Sequence, residues 1–273
     1  MLNVFEPGNE HLKKYVDSIY IFEKKDKEIR YTSYPSAYTA VALFRNTDID
    51  FASKCCTIQH AINPNHFAVA FNRLFRPVDI HYRQMEDEIS INFKALGLAA
   101  FAQWEYKDST DCFIFSTWDN FLEDIFNEVF AIDDPVKRIE IIEAFLLKRY
   151  VRFEDEEILS KAIDMLNAPH TDHKMQEIAK ETGVHYKYLY RSFMQYIGCS
   201  PAHYRKIVKF RHSVYSKLNK GDAARFIEIC YDGNYTDQSY FIKQFREITG
   251  ENPKKFFRGL SAFGKDKVVL RFS

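Results

Sequence analysis

Residues 175–204 read MQEIAKETGVHYKYLYRSFMQYIGCSPAHY, and residues 226–256 read FIEICYDGNYTDQSYFIKQFREITGENPKKF. The two stretches are one pattern written twice. Glu177-Ile178-Ala179 aligns with Glu228-Ile229-Cys230 at an offset of 51. After one extra residue, Phe193, Gly198 and Pro201 align with Phe245, Gly250 and Pro253 at an offset of 52, and Ile197 falls opposite Ile248 or Thr249. Self-similarity of this kind marks one supersecondary unit used twice.

Each copy has the composition of a helix-turn-helix. A short helix carries Ile beside a small residue, so that a second helix crosses it closely. Next comes a residue suited to a left-handed turn: Gly183 in the first copy, Asn234 in the second. Glycine adopts positive φ freely, and asparagine tolerates it better than most. Val184 or Tyr235 follows and fills the angle between the helices. Thr236 reads as the N-cap of the next helix, with Asp237 at the positive end of its dipole. The second helices are amphipathic in one register: Leu189, Phe193 and Ile197 share a face, as do Phe241, Phe245 and Ile248. The opposite stripe carries Lys187, Tyr190, Arg191 and Met194 in one copy and Ser239, Ile242, Lys243 and Arg246 in the other.

Between the copies, Ser200–Leu218 predicts one long helix: Pro201 suits a first turn, and Tyr204, Ile207, Val208, Arg211 and Val214 keep helical spacing. Such a rod sets the distance between the units, and two rigidly joined units fit successive major grooves on one face of DNA, ~34 Å apart.

Charge divides the chain in the same place. The totals cancel, 38 Lys and Arg against 38 Asp and Glu. Up to Glu157, where the acidic run Glu154-Asp155-Glu156-Glu157 ends, 18 basic residues face 27 acidic ones, a net of −9. From residue 158 onward 20 face 11, a net of +9. An asymmetry this large points to two domains with different partners. A basic segment of that size is a candidate polyanion surface, or a solvated basic face.

The region from about 158 to 258 resembles the DNA-binding domain of AraC/XylS-type transcription regulators. The resemblance covers the leading helix Ile158–Leu166 and the first unit closing at Phe193 and Gly198-Cys199-Ser200-Pro201. It continues through the connecting helix and the stretch Asp237–Phe245, Thr249–Pro253 and Phe256-Phe257-Arg258. Cys230, Asn234 and Lys243 stand where the family usually has Ala, Gly and Arg. The resemblance implies a sequence-specific DNA binder that controls transcription, often as a dimer, with RNA polymerase as a further partner.

Base reading is expected from Lys187, Tyr190, Arg191, Gln238, Ser239 and Lys243. Lys and Arg pair with guanine O6 and N7, Gln reads adenine, and Tyr contacts thymine methyl groups. Phosphate contacts are expected from Arg205, Lys206, Lys209 and Arg246, and Arg211 is a further candidate. Ordinary surface charge is the competing reading for each.

The first half predicts strands at Tyr15–Glu23, Tyr38–Phe44, Phe67–Phe71 and Glu88–Lys94. Helices follow at Trp118–Phe126 and, started by Asp134-Pro135, at Pro135–Leu147. The expected fold is therefore an α+β N-terminal domain, a β-rich body plus helices, at residues 1–150. An all-α C-terminal domain with two helix-turn-helix units joined by a long helix follows at 158–260, and a tail at 261–273. Its segment Val268–Phe272 reads either as a strand on the first domain or as a mobile end. The first-half layout also resembles N-terminal domains of one AraC/XylS branch, in Tyr34-Pro35 and Val41, Phe93-Lys94-Ala95-Leu96-Gly97 and the Arg138–Leu147 helix. That implies a sensing or dimerising module. The faces Phe121/Ile125 and Ile139/Ile142/Phe145 pack either on the β body or on a second subunit.

Other functions find little support. Apolar residues are 46% and charged residues 28% of the 273, the balance of a globular protein. The longest apolar run, around Ala95–Ala102, is far short of the ~20 residues of a membrane helix. The first residues have neither the basic flank nor the apolar stretch of a secretory signal, so a cytoplasmic protein is expected. Five cysteines, Cys55, Cys56, Cys112, Cys199 and Cys230, occur without a Cys-x-x-Cys spacing, and free thiols are expected. His60, His66 and His81 lack the spacing of a cupin metal site, and neither a nucleophile elbow nor a phosphate loop occurs. No metal, no cofactor and no catalysis are expected. A small-molecule effector pocket lined by the Phe- and Tyr-rich strands remains open. The alternatives to a specific regulator are a non-specific nucleoid-type binder and an enzyme with an appended DNA-binding domain.

Overall fold

A computed structural model describes residues 2–25, 28–52, 55–72, 75–83, 85–106, 113–114, 123–168, 171, 173–221, 225–258, 261–263 and 268–272. A β-rich N-terminal body with helices is followed by a helical C-terminal region. The first sheet is built from β1 (Leu2–Phe5), β2 (Val16–Lys25), β4 (Thr39–Arg45), β7 (His66–Asn72), β9 (Met85–Phe93) and β10 (Phe113–Ile114). Their order across the sheet is β1-β2-β9-β4-β7-β10. The second sheet contains β3 (Ile29–Ser33), β5 (Thr47–Ala52), β6 (Cys55–His60), β8 (Val78–Tyr82), β11 (Ser261–Phe263) and β12 (Val268–Phe272), in the order β11-β12-β3-β8-β6-β5.

The central strand β4 shows why the two sheets stack. Side chains alternate across a strand, and Val41 and Leu43 join one core while Ala42 and Phe44 join another. Ala42 and Phe44 meet Cys56, Ile58, Val78, Ile80 and Tyr82 of the second sheet. The opposite face of the first sheet, through Ile19, Ile89, Ile91 and Phe93, is covered by helices. A strand buried on both faces is apolar throughout, which is the pattern Ala40–Phe44 shows. At its end Asn46 takes φ 51° and turns the chain into β5.

The covering helices are α1 (Gly97–Ala102), α2 (Glu123–Phe130) and α3 (Pro135–Arg149). Asp134 caps α3, its side chain accepting from the Val136 N–H at 2.9 Å. Ile125, Ile139 and Ile142 are buried in the core beneath the first sheet, with Phe145 packed against it, so these faces pack on the body of the same chain. Trp118–Leu122, including Phe121, lie outside the described residues, and the described part of that helix begins at Glu123. The expected strands near β2, β4, β7 and β9 are present. Strands β1, β3, β5, β6 and β8 were not expected. Their segments are short, four to six residues each, and carry fewer apolar residues than β4, although Asp48-Ile49-Asp50-Phe51 and Val78-Asp79-Ile80 alternate as a half-buried strand does.

The helical region runs α4 (Glu156–Asn167), α5 (Met175–Glu181), α6 (Tyr186–Tyr196), α7 (Pro201–Lys220), α8 (Phe226–Asp232), α9 (Gln238–Thr249) and α10 (Pro253–Arg258). After α10 the chain returns to the body. β11 and β12 form a hairpin, and β12 pairs antiparallel with β3, Leu270 opposite Ser33 and Phe272 opposite Tyr31. Directly after β3, Tyr34 leaves the sheet and is buried in the core of the second helical unit, its ring centroid 4.6 Å from that of Phe256. The first unit is held too. The Tyr106 N–H donates to the Gln195 carbonyl at 2.6 Å, and the Tyr106 ring lies where a Cβ on Gly198 would fall, at 2.7 Å.

No described helix is long and apolar enough to cross a membrane. Cys55, Cys56, Cys199 and Cys230 are free thiols, and Cys112 lies outside the described residues. Among the described residues no group of three or more His, Cys, Asp and Glu is placed to hold a metal ion.

Candidate nucleic-acid interface

The two copies of the sequence pattern fold by the same local bonds. At each start a Glu reaches back to the backbone N–H three residues earlier: Glu177 Oε2 accepts from Lys174 N at 2.9 Å, and Glu228 Oε2 from Arg225 N at 3.4 Å. This half of a capping box satisfies a helix N–H that has no partner within the helix, and it explains why Glu aligns with Glu. Ile178 and Ile229 are fully buried beside the small Ala179 and Cys230. The turn residues Gly183 and Asn234 adopt φ +74° and +61°. The next residue closes the turn identically, Val184 N–H to Ala179 O at 3.0 Å and Tyr235 N–H to Cys230 O at 3.1 Å.

The second helix of each unit, α6 or α9, buries the expected apolar face: Leu189, Phe193 and Ile197, and Phe241, Phe245 and Ile248. Each then ends at a glycine of positive φ, Gly198 and Gly250. Proline at the first turn opens the following helix in both units. The cap of α9 is Asp237, whose carboxylate accepts from the Tyr240 N–H at 2.8 Å. This corrects the expectation of Thr236, and the reason is local: a one-residue shift puts the stronger acceptor in reach of the N3 amide.

Lys187, Tyr190 and Arg191 on α6 and Gln238, Ser239 and Lys243 on α9 are all exposed. Met194 is exposed beside the first set. Ile242, placed on the outer stripe by spacing, is half-buried against the core of the second unit. Two neighbours orient the stripes. The Arg191 guanidinium carbon lies 5.8 Å from the Tyr188 ring centroid. Buried Gln244 donates through Nε2 to the hydroxyl of the exposed Tyr240, in the first turn of α9, at 2.7 Å.

The basic residues expected at phosphates have different surroundings. Arg246 is exposed. Lys206 pairs with Glu247 Oε1 at 2.9 Å, tying α7 to α9. Lys209 is half-buried with its ammonium 5.9 Å from the Tyr235 ring centroid. Arg205 donates to the His173 carbonyl and bridges α7 to the start of α5. Arg211 is a correction: it is buried, donating to the Tyr215 hydroxyl at 3.0 Å, so it belongs to the packing of α7 and not to the surface.

Sequence spacing did not reveal the residues that hold α6 to the rest of the molecule. Asp155, in the acidic run, accepts from the hydroxyls of Tyr188 at 2.7 Å and Ser192 at 2.5 Å. The neighbouring Glu156 accepts from the Tyr15 hydroxyl and from Tyr150 at 3.1 Å. The one available signal was a pair of hydroxyl residues four apart on a helix, one turn along the same face.

Residues 178–259 match the family model described as a helix-turn-helix domain. A search of the curated proteins gives no match. Among solved structures, ToxT from Vibrio cholerae strain SCE256 with an unsaturated fatty acid bound is 10% identical, 94% of each chain being covered, at a TM-score of 0.41. ToxT from Vibrio cholerae O395 is 12% identical over 94% of this chain and 96% of its own, at 0.39. The AraC-like transcriptional activator CuxR is 12% identical over 81% of this chain and 87% of its own, at 0.19. These likenesses are loose, and the assignment rests on the repeated local geometry and the matched segment. The C-terminal region of this chain is a helix-turn-helix domain of the AraC type, the domain of DNA-binding transcription regulators.

Proposed function

We propose that the protein binds specific duplex sequences, α6 and α9 entering adjacent major grooves, and so regulates transcription. The observation that carries this is the matched pair of exposed polar stripes on two helices built by identical turns. The connecting helix α7 has 20 residues, about 30 Å at 1.5 Å per residue. Both units pack on it, Phe193 of α6 against Tyr204 and Phe245 of α9 against Phe210, and the proposal sets α6 and α9 in successive major grooves, ~34 Å apart on one face. Lys187, Tyr190, Arg191, Gln238, Ser239 and Lys243 read base edges. Arg246 on α9, with Arg205, Lys206 and Lys209 on α7, supplies positive potential toward phosphates. We assign residues 158–260 to this task, in the cytoplasm, and residues 1–150 to sensing or to dimerisation.

Selection of duplexes from a random pool by the purified full chain tests the reading. A defined consensus is expected. Arg191→Ala should then cost ~1–3 kcal/mol on that consensus and relax selectivity at one base pair. Equal loss on consensus and random duplex would instead identify a non-specific polyanion binder, whose affinity comes from phosphate contacts alone.

A further inference from the structure

The acidic run at residues 154–157 marks a boundary in charge, yet two of its members are buried. Asp155 stands at the N-cap position of α4 but makes no side-chain capping bond there. An Asp in that position ordinarily accepts from its own helix. Here both carboxylate oxygens are spent on another helix, Oδ1 on the Tyr188 hydroxyl and Oδ2 on the Ser192 hydroxyl. Tyr188 and Ser192 are one turn apart on α6, so the carboxylate fixes the roll of that helix about its axis as well as its position.

The Tyr188 ring held in this way is the one that lies against the Arg191 guanidinium. A planar cation held near an aromatic face loses part of its rotamer freedom before it meets a base. We infer that Asp155 is a positioning residue for DNA reading: through the Tyr188 hydroxyl it holds the ring that orients the Arg191 fork. The inference rests on the function proposed above and deepens it, since the ligand it serves is the hydrogen-bonding edge of one base pair, guanine by the chemistry of a bidentate fork. The chain continues toward the N-terminal body. Glu156 is anchored by Tyr15, at the entry to β2, and by Tyr150, just past the end of α3. Two successive carboxylates therefore link the body to the reading helix, Glu156 through Tyr15 and Tyr150 and Asp155 through Tyr188 and Ser192.

The test is a double-mutant cycle in the full chain, on the selected duplex and on its single-base-pair variants. Tyr188→Phe keeps the ring and removes the hydroxyl. It should lower discrimination at the base pair sensed by Arg191 about ten-fold, leaving the pairs read by α9 and the salt dependence unchanged. In an Arg191→Ala background, Tyr188→Phe should have no further effect. Asp155→Ala should reproduce the loss, and Asp155→Asn, which keeps an acceptor for the hydroxyl, should restore most of it. If Asp155→Ala fails to fold, Tyr188→Phe carries the test alone. Equal losses at every base pair, or the same loss with and without Arg191, overturn the inference. If the unaltered protein discriminates among duplexes and Arg191→Ala relaxes one base pair while Tyr188→Phe changes nothing, only this inference falls. If the unaltered protein ignores sequence altogether, the proposed function falls first.

Discussion

Replacing Tyr34 by alanine should weaken the second helix-turn-helix unit, although Tyr34 belongs to the N-terminal body. Its ring is 2% exposed and packs in the cluster formed by Phe210, Val214, Ile229, Phe241, Phe245 and Phe256. The contact with Phe256 is edge-to-face at 75°. Emptying a buried aromatic site costs about 3–5 kcal/mol, from lost transfer energy and the cavity left behind. For a chain of this size the melting temperature should fall by roughly 10 °C. Tyr34→Phe, which keeps the ring, should stay within about 1.5 kcal/mol of the unaltered protein, as volume-conserving swaps do. Amide hydrogen exchange locates the damage: protection should drop in α8–α10 as well as in β3. Loss of protection confined to β3 and β4, with α8–α10 unaffected, would refute the shared core.

Gly198→Ala should destabilise by more than about 2 kcal/mol, because φ is +83° there and the new Cβ meets the Tyr106 ring at 2.7 Å; a urea midpoint at the unaltered value would show that Tyr106 is not seated there. Asn234→Gly should change stability by less than about 1 kcal/mol. Relief of a positive φ, worth about 1 kcal/mol, offsets the loss of the Asn234 Nδ2 bond to the Thr171 carbonyl at 2.6 Å, and a large destabilisation by urea unfolding would mean the turn is misplaced. Glu88→Gln should stabilise the protein at neutral pH. Burial raises the Glu88 carboxyl above its ordinary 4.5, with nearby Asp87 adding to the rise, despite donation from Tyr82 at 2.7 Å and Ser90 at 2.7 Å. A carboxyl raised in the folded state contributes stability at low pH that is lost as pH rises through its folded value. The variant should therefore lack a decline that the unaltered protein shows as pH rises from about 4.5, and denaturant midpoints across pH 4–8 that run parallel for the two proteins would contradict this.

Much of the helical region is determined by sequence alone. Its turns, caps and apolar stripes lie within a few residues of one another, so Gly183, Asn234, Phe193 and Phe245 can be read without knowledge of any partner. A strand with an apolar run, such as β4, or with apolar and polar residues in alternation, such as β9, is legible for the same reason. Tertiary structure alone decided the rest. Strand β3 holds together because β8 and β12 lie on either side of it, and β12 comes from the other end of the chain. Asp155 and Glu156 read only as part of an acidic run, yet hydroxyls that satisfy them lie as far off as Ser192, 37 residues ahead, and Tyr15, 141 residues behind. Burial of a carboxylate depends on where its donors arrive in space, and neither periodicity nor composition along the chain contains that information.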